Sequence, residues 1–240
     1  MEGTFTVVIW VPGGSTKKNI ENYIDMQEKK VQKFRKNSIG SDVKLLSELR
    51  RKSIHFSALA IPIGYYFVPR KEALIILGVC CFLCMLLDLF KYYDKNFRKN
   101  FFKIFGKMLR SREIKRFTGS TFILTSSLIS ILVFERWIAL TVITFIIMGD
   151  IAGAIFGKRF GKHKTIGNKT LEGSIAFFMA AYSFGIIIRF AFGLESPWSA
   201  LFMGALSATV IESLPLGIDD NLTVPVLTGV LLQLMYIGHF

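Results

Sequence analysis

Residues 137–156 read WIALTVITFIIMGDIAGAIF, twenty positions with a single charge at Asp150. At 1.5 Å per residue such a helix is about 30 Å long, the thickness of a bilayer's hydrocarbon core. The run predicts a transmembrane helix with a carboxylate at membrane depth. Six further apolar blocks lie along the chain: Ile54–Val68, Ala73–Phe90, Gly119–Phe134, Ser174–Phe192, Pro197–Leu214 and Leu222–Gly238. Several fall short of the ~20 residues of a full span, but they are continuous rather than amphipathic. Hydrophobic residues make up 52% of the 240, which excludes an ordinary water-soluble core. The expected fold is all-α: a polytopic integral membrane protein with about seven transmembrane helices.

The charge of +13 is distributed unevenly. Of 30 Lys and Arg, 11 precede the first block, 10 lie between the second and third, and 5 between the fourth and fifth. The other four, Arg70, Lys71, Arg136 and Arg189, fall at the alternate ends. Positive charge marks cytoplasmic loops, so this split predicts a cytoplasmic N-terminus. Trp137 and Trp198 then share the outer interface. The basic charge is assigned to orientation and to anionic membrane lipid, with no nucleic acid partner. Cys80, Cys81 and Cys84 sit mid-block without a nearby His and read as packing residues. Apolar stripes within basic sequence, near residues 20–34 and 97–109, predict helices lying on the membrane surface. Residues 1–47 form a cytoplasmic N-terminal extension in this reading, and 48–240 the membrane domain.

Working outward from Asp150, Gly149 and Gly153 allow either close helix approach or a local break. An acid within a span is usually functional, and Mg²⁺ or phosphate-linked chemistry is expected here. A structural ion pair with a neighbouring Lys is the alternative. Residues 157–170 follow as GKRFGKHKTIGNKT, five cations and three glycines in a segment read as a loop opening onto a helix N-terminus. Free N–H groups and the helix dipole make such a place suited to phosphate. The spacing is one residue short of a Walker A loop. Thr170 is the expected N-cap, and Glu172 is favoured in the first turn by the dipole. Lys164, Lys169 and Glu172 stand closest to the helix mouth. Lys158, Arg159 and Lys162 divide evenly between phosphate contact and topology.

Two more constellations lie towards the same face. Glu212 falls about 22 Å along the helix that starts at Pro197. Asp219, Asp220 and Asn221 form the turn before the last block. Turn acids often serve as caps, yet a carboxylate pair is also what Mg²⁺ uses when substrate phosphates complete its shell. Arg51, Lys52 and His55 occupy neighbouring helical positions at the mouth of the first block.

Arg51-Lys52-x-x-His55, Gly149-Asp150 with Gly157-Lys158-x-x-Gly161, Lys169-Thr170-x-Glu172-Gly-Ser, and Glu212-x-Leu-Pro followed by Asp219-Asp220-Asn221-x-Thr-x-Pro225 occur in this order. Together they resemble the CTP-dependent lipid-alcohol kinases, which include diacylglycerol, dolichol or polyprenol, and phytol kinases. These are relatives of the phosphatidate cytidylyltransferases. The resemblance runs from about Glu48 to the C-terminus, and the connector ending at Gly119 is most similar to the diacylglycerol kinases. It implies transfer of the γ-phosphoryl of CTP to a membrane lipid alcohol, diacylglycerol first and dolichol or polyprenol next, with Mg²⁺ and a site facing the cytoplasm. Asp150, Asp219 and Asp220 would then bind metal or accept the hydroxyl proton, with Glu212 as a further metal ligand. Lys158, Lys162, Lys164, Lys169, Thr170, Glu172 and Asn221 would hold the nucleotide. Arg51, Lys52 and His55 would close the site, His55 with a catalytic role. The choice of CTP over ATP rests on the resemblance alone. Cytidylyl transfer to phosphatidate, and a non-enzymatic anion transporter or lipid scaffold, are the competing readings.

Overall fold

A computed structural model of the chain describes residues 52–53, 55–105, 116–166 and 169–238. The N-terminal extension, its expected surface helix and Arg51 lie outside the described residues. Among those described, the fold is helical, with a single isolated β-bridge between Lys164 and Thr170. Helical residues 52–53 and 55–57 precede α1 (Ala60–Phe67), followed by α2 (Arg70–Tyr93), α3 (Lys95–Phe105), α4 (Gly119–Val133), α5 (Arg136–Phe160), α6 (Leu171–Ala191), α7 (Trp198–Ser213) and α8 (Asp220–Ile237).

Each of the seven apolar blocks contains a helix, but among the described residues only α2, α5, α6 and α8 are long and apolar enough to cross a membrane. The 8 residues of α1 cover about 12 Å, and the 15 of α4 about 22 Å. About seven transmembrane helices were expected, several of them short, and the described residues support four on length and composition. The shortening has a local cause at the breaks. Val68 precedes Pro69 and is extended, as a residue before proline prefers. Pro197 starts α7, and Leu214, extended before Pro215, ends it.

The bundle is organised around α5. Ile138 through Gly149 are buried at every position, the pattern of a helix covered on all sides. Thr141 and Thr144 are tolerated there because each donates back to the carbonyl four residues earlier. Its closest neighbour is α6. A Cβ on Gly149 would lie 2.7 Å from the Phe177 ring, and one on Gly153 3.2 Å from the Gly173 carbonyl oxygen. One on Gly157 would lie 3.0 Å from Thr170 Oγ1. Glycines every fourth residue thus make a flat face against which α6 seats. For the same reason the segment read as a loop from Gly157 begins later. The helix continues through Phe160, so Lys158 and Arg159 stand in its last turn.

The bundle has two chemically distinct ends. At one, Arg70 donates to the Leu132 carbonyl, and Arg136 donates to those of Tyr65 and Tyr66. Arg189 lies over the Trp198 ring at 4.7 Å. These are three of the four minority cations. At the other end lie Asp150, the 161–170 segment, Glu212 and the turn before α8.

Candidate functional site

Asp150 is held from the segment preceding α1. The Lys52 ammonium ion-pairs with Asp150 Oδ2, and His55 Nδ1 stands 3.2 Å from the same oxygen. Lys52 and His55 are 3% and 5% exposed, so the carboxylate compensates a cation that burial would otherwise penalise heavily. The ion pair with a neighbouring Lys, given as the alternative for Asp150, is therefore present.

Lys169, just ahead of α6, reaches across to α7 and α8. Its Nζ donates to Glu212 Oε1 at 2.5 Å, to the Glu212 carbonyl, and to Asp220 Oδ2 at 2.9 Å. Burial by itself would lower the pKa of this lysine. The two carboxylates outweigh burial and leave it raised, so the residue is cationic at neutral pH. Asp150 is within electrostatic reach of both Glu212 and Asp220. Lys169 thus ties an acid of α7 to one of α8, and the Lys52–Asp150 pair of α5 is near enough for its charge to be felt by both.

Other predicted residues turn out to build the scaffold around this cluster. Thr170 caps α6 by accepting from Gly173 N at 3.2 Å, as the sequence suggested. Glu172 accepts from His163 N at 3.2 Å and lies 2.8 Å from His163 Nδ1, fastening the base of the loop. Backbone bonds from Thr165 N to Lys169 O and from Leu171 N to His163 O pair residues 163–165 with 169–171. Lys162 and Lys164 project from this fold, exposed. Asp219 caps α8, accepting from Asn221 N at 3.2 Å and from Asn221 Nδ2 at 2.8 Å. Of the predicted set, Lys52, His55, Asp150, Lys169, Glu212 and Asp220 converge, whereas Thr170, Glu172, Asp219 and Asn221 set local geometry.

Sequence reading passed over a second charged centre. Asp88, 4% exposed, accepts from Lys91 Nζ at 2.7 Å, Thr118 N at 2.8 Å and Thr121 Oγ1 at 2.6 Å. The signal was present: like Asp150, Asp88 is a lone acid inside an apolar block. Asp88 also lines a cavity of about 710 Å³ that reaches Lys169, Asp219 and Asp220.

This geometry can bind a polyanion and align it against a neutral group. Exposed Lys162 and Lys164 lie in the segment leading to α6, and Glu212 and Asp220 meet at Lys169. Residues 29–213 match the cytidylyltransferase family. The chain belongs to that family. The match begins in the N-terminal extension and takes in the Asp150 centre, the loop, Lys169 and Glu212. Among curated relatives, an uncharacterized protein of Rickettsia prowazekii is 27% identical over 183 residues, covering 74% of this chain and 89% of the relative. A Schizosaccharomyces pombe protein named CTP-dependent diacylglycerol kinase 1 is 24% identical over 206 residues, covering 78% of this chain and 93% of the relative. No solved structure matches the chain.

Proposed function

We propose that this protein is a CTP-dependent lipid kinase of the membrane, transferring the γ-phosphoryl of CTP to a lipid alcohol, with diacylglycerol favoured over dolichol or polyprenol. The observation that carries the reading is Lys169 bridging Glu212 and Asp220 within electrostatic reach of Asp150. Membership of the cytidylyltransferase family supports a CTP-using site, and the fission-yeast relative supports the kinase branch. In this reading the seven blocks are all membrane-embedded, the N-terminus is cytoplasmic and the site faces the cytoplasm. The α3 helix lies along that surface, with Phe97 and Phe101 stacked on one side.

Phosphoryl transfer asks for alignment and charge neutralisation more than for covalent help. Lys162 and Lys164, with Lys158 at the end of α5, hold the triphosphate, and the positive end of the α6 dipole favours the same anion. The lipid hydroxyl oxygen forms the new bond to the γ-phosphorus as the bond to the β-phosphate oxygen breaks and CDP departs. The hydroxyl proton goes to Asp220, which faces the cavity and has one oxygen committed to Lys169. Lys52 and His55 act as positioning residues by fixing Asp150. Among the described residues no three acids lie close enough to hold a cation by themselves, but Asp150 and Glu212 each engage Lys or His through one side-chain oxygen and would offer the other to Mg²⁺ beside the substrate phosphates. One or two carboxylates plus phosphates suffice for this ion, and its charge would offset that on the transferred group.

The family assignment also keeps cytidylyl transfer in view, in which a phosphatidate oxygen attacks the α-phosphorus and pyrophosphate leaves. Purified protein given Mg²⁺ and either γ- or α-labelled CTP, with diacylglycerol, a polyprenol and phosphatidate in parallel, separates the two. Label passing from the γ position to a lipid alcohol is the expected result. Label passing only from the α position, to phosphatidate, would replace the kinase by the transferase. No transfer of either label would favour a transporter or scaffold.

A further inference from the structure

The cavity beside Lys169 lies between the C-terminal end of α2, residues 116–122 and the turn joining α7 to α8. One end is polar, formed by Lys169, Asp219 and Asp220, while Leu89, Phe117 and Leu216 make an apolar flank. Leu89 and Leu216 are 41% and 42% exposed, so that flank opens onto the apolar outside of the bundle rather than into its core. A cavity of this kind matches an amphiphile whose polar end is small. It does not match a triphosphate: three acids (Asp88, Asp219, Asp220) face two cations (Arg116, Lys169) around the lining, so no excess of positive charge is offered. A neutral hydroxyl carries no charge for those acids to repel, and an alkyl chain is favoured along the flank.

Beneath the same wall lies the Asp88–Lys91 pair, which no phosphate chemistry uses. Lys91 is fully buried and, besides Asp88, donates to the Arg116 carbonyl at 2.8 Å. Asp88 receives Thr118 N. The two side chains thereby grip the backbone on both sides of Phe117, whose side chain lines the cavity. A buried ion pair is a poor way to gain stability, but a fully bonded one fixes geometry.

We propose that the cavity is the binding site of the acceptor lipid, its hydroxyl at Lys169 and Asp220 and its chain leaving across Leu89 and Leu216, with Asp88 and Lys91 as positioning residues for the wall. What happens at the hydroxyl rests on the kinase reading; binding in the cavity does not. A photoactivatable diacylglycerol, incorporated without nucleotide into nanodiscs holding the full chain, should label peptides containing residues 88–93 or 214–218. Leu216→Trp fills the flank and should lower that labelling several-fold. It should also raise the KM for lipid about tenfold while the KM for CTP stays fixed. Thr121→Val removes one bond from Asp88 without unpairing Lys91, and should raise the lipid KM alone by a smaller factor. Labelling elsewhere, unchanged by Leu216→Trp, with γ-phosphoryl transfer intact, would overturn the cavity assignment and spare the kinase. Cavity labelling without transfer from CTP would do the reverse. A Thr121→Val enzyme with both KM values unchanged, or both shifted equally, would remove the positioning role.

Discussion

Lys169 holds two acids that would otherwise face each other half-buried. Lys169→Met removes the ammonium that both Glu212 and Asp220 contact and withdraws a positive charge from the proposed site. Loss of one such electrostatic contact costs roughly 100-fold in turnover, so steady-state assay of Lys169→Met should read a fall of at least that size. Near-normal rates would remove the residue from the site. Asp150 neutralises Lys52 and, in the proposed mechanism, also serves the reaction, and its substitution should separate the two. Asp150→Ala leaves the buried Lys52 without its carboxylate, a defect of about 3–5 kcal/mol, visible as a lower thermal midpoint in detergent. Adding Lys52→Met removes the orphaned cation and should restore much of the midpoint while activity stays absent. Recovery of activity in the double variant would mean that Asp150 serves only Lys52.

At the scale of elements, the α5–α6 contact determines whether the site exists. Asp150 and Lys169 are carried by or next to these two helices, whose approach depends on Gly149, Gly153 and Gly157 meeting Phe177, Gly173 and Thr170. Gly149→Val places methyl groups where the Phe177 ring now lies. Overpacking of this kind costs about 1–3 kcal/mol, which a thermal melt would read as a lowered midpoint. Shrinking the ring with Phe177→Leu should recover part of the loss. If the single variant melts like the parent, the close helix approach is not what holds the pair. The glycine spacing was legible in the sequence, but its consequence was only half read. Gly157, read as the start of a phosphate loop, belongs instead to the flat face of α5, which stays helical to Phe160, because the partner able to use that face lies outside the local sequence.

Across the whole molecule, charge separates the two ends of the bundle. Arg70, Arg136 and Arg189 engage carbonyls, hydroxyls and rings at one end, and every converging site residue lies at the other. With the native cysteines replaced, Gly217→Cys should react with a membrane-impermeant maleimide from the cytoplasmic side of sealed vesicles. Gly193→Cys should react from the opposite side. Reaction of both from one side would break the seven-block path. The sequence by itself determined the class of this protein and the sidedness of its charge. Apolar length and the placement of Lys and Arg are properties of the chain read in order, and a bilayer responds to them directly. It also named most of the converging residues, since acids and glycines inside apolar blocks stand out. Only the tertiary structure decided which of them meet. Lys52 with Asp150, Lys169 with Glu212 and Asp220, and Asp88 with Thr118 and Thr121 join residues 30 or more positions apart. Such pairings follow from how helices pack, and local sequence carries no term for them.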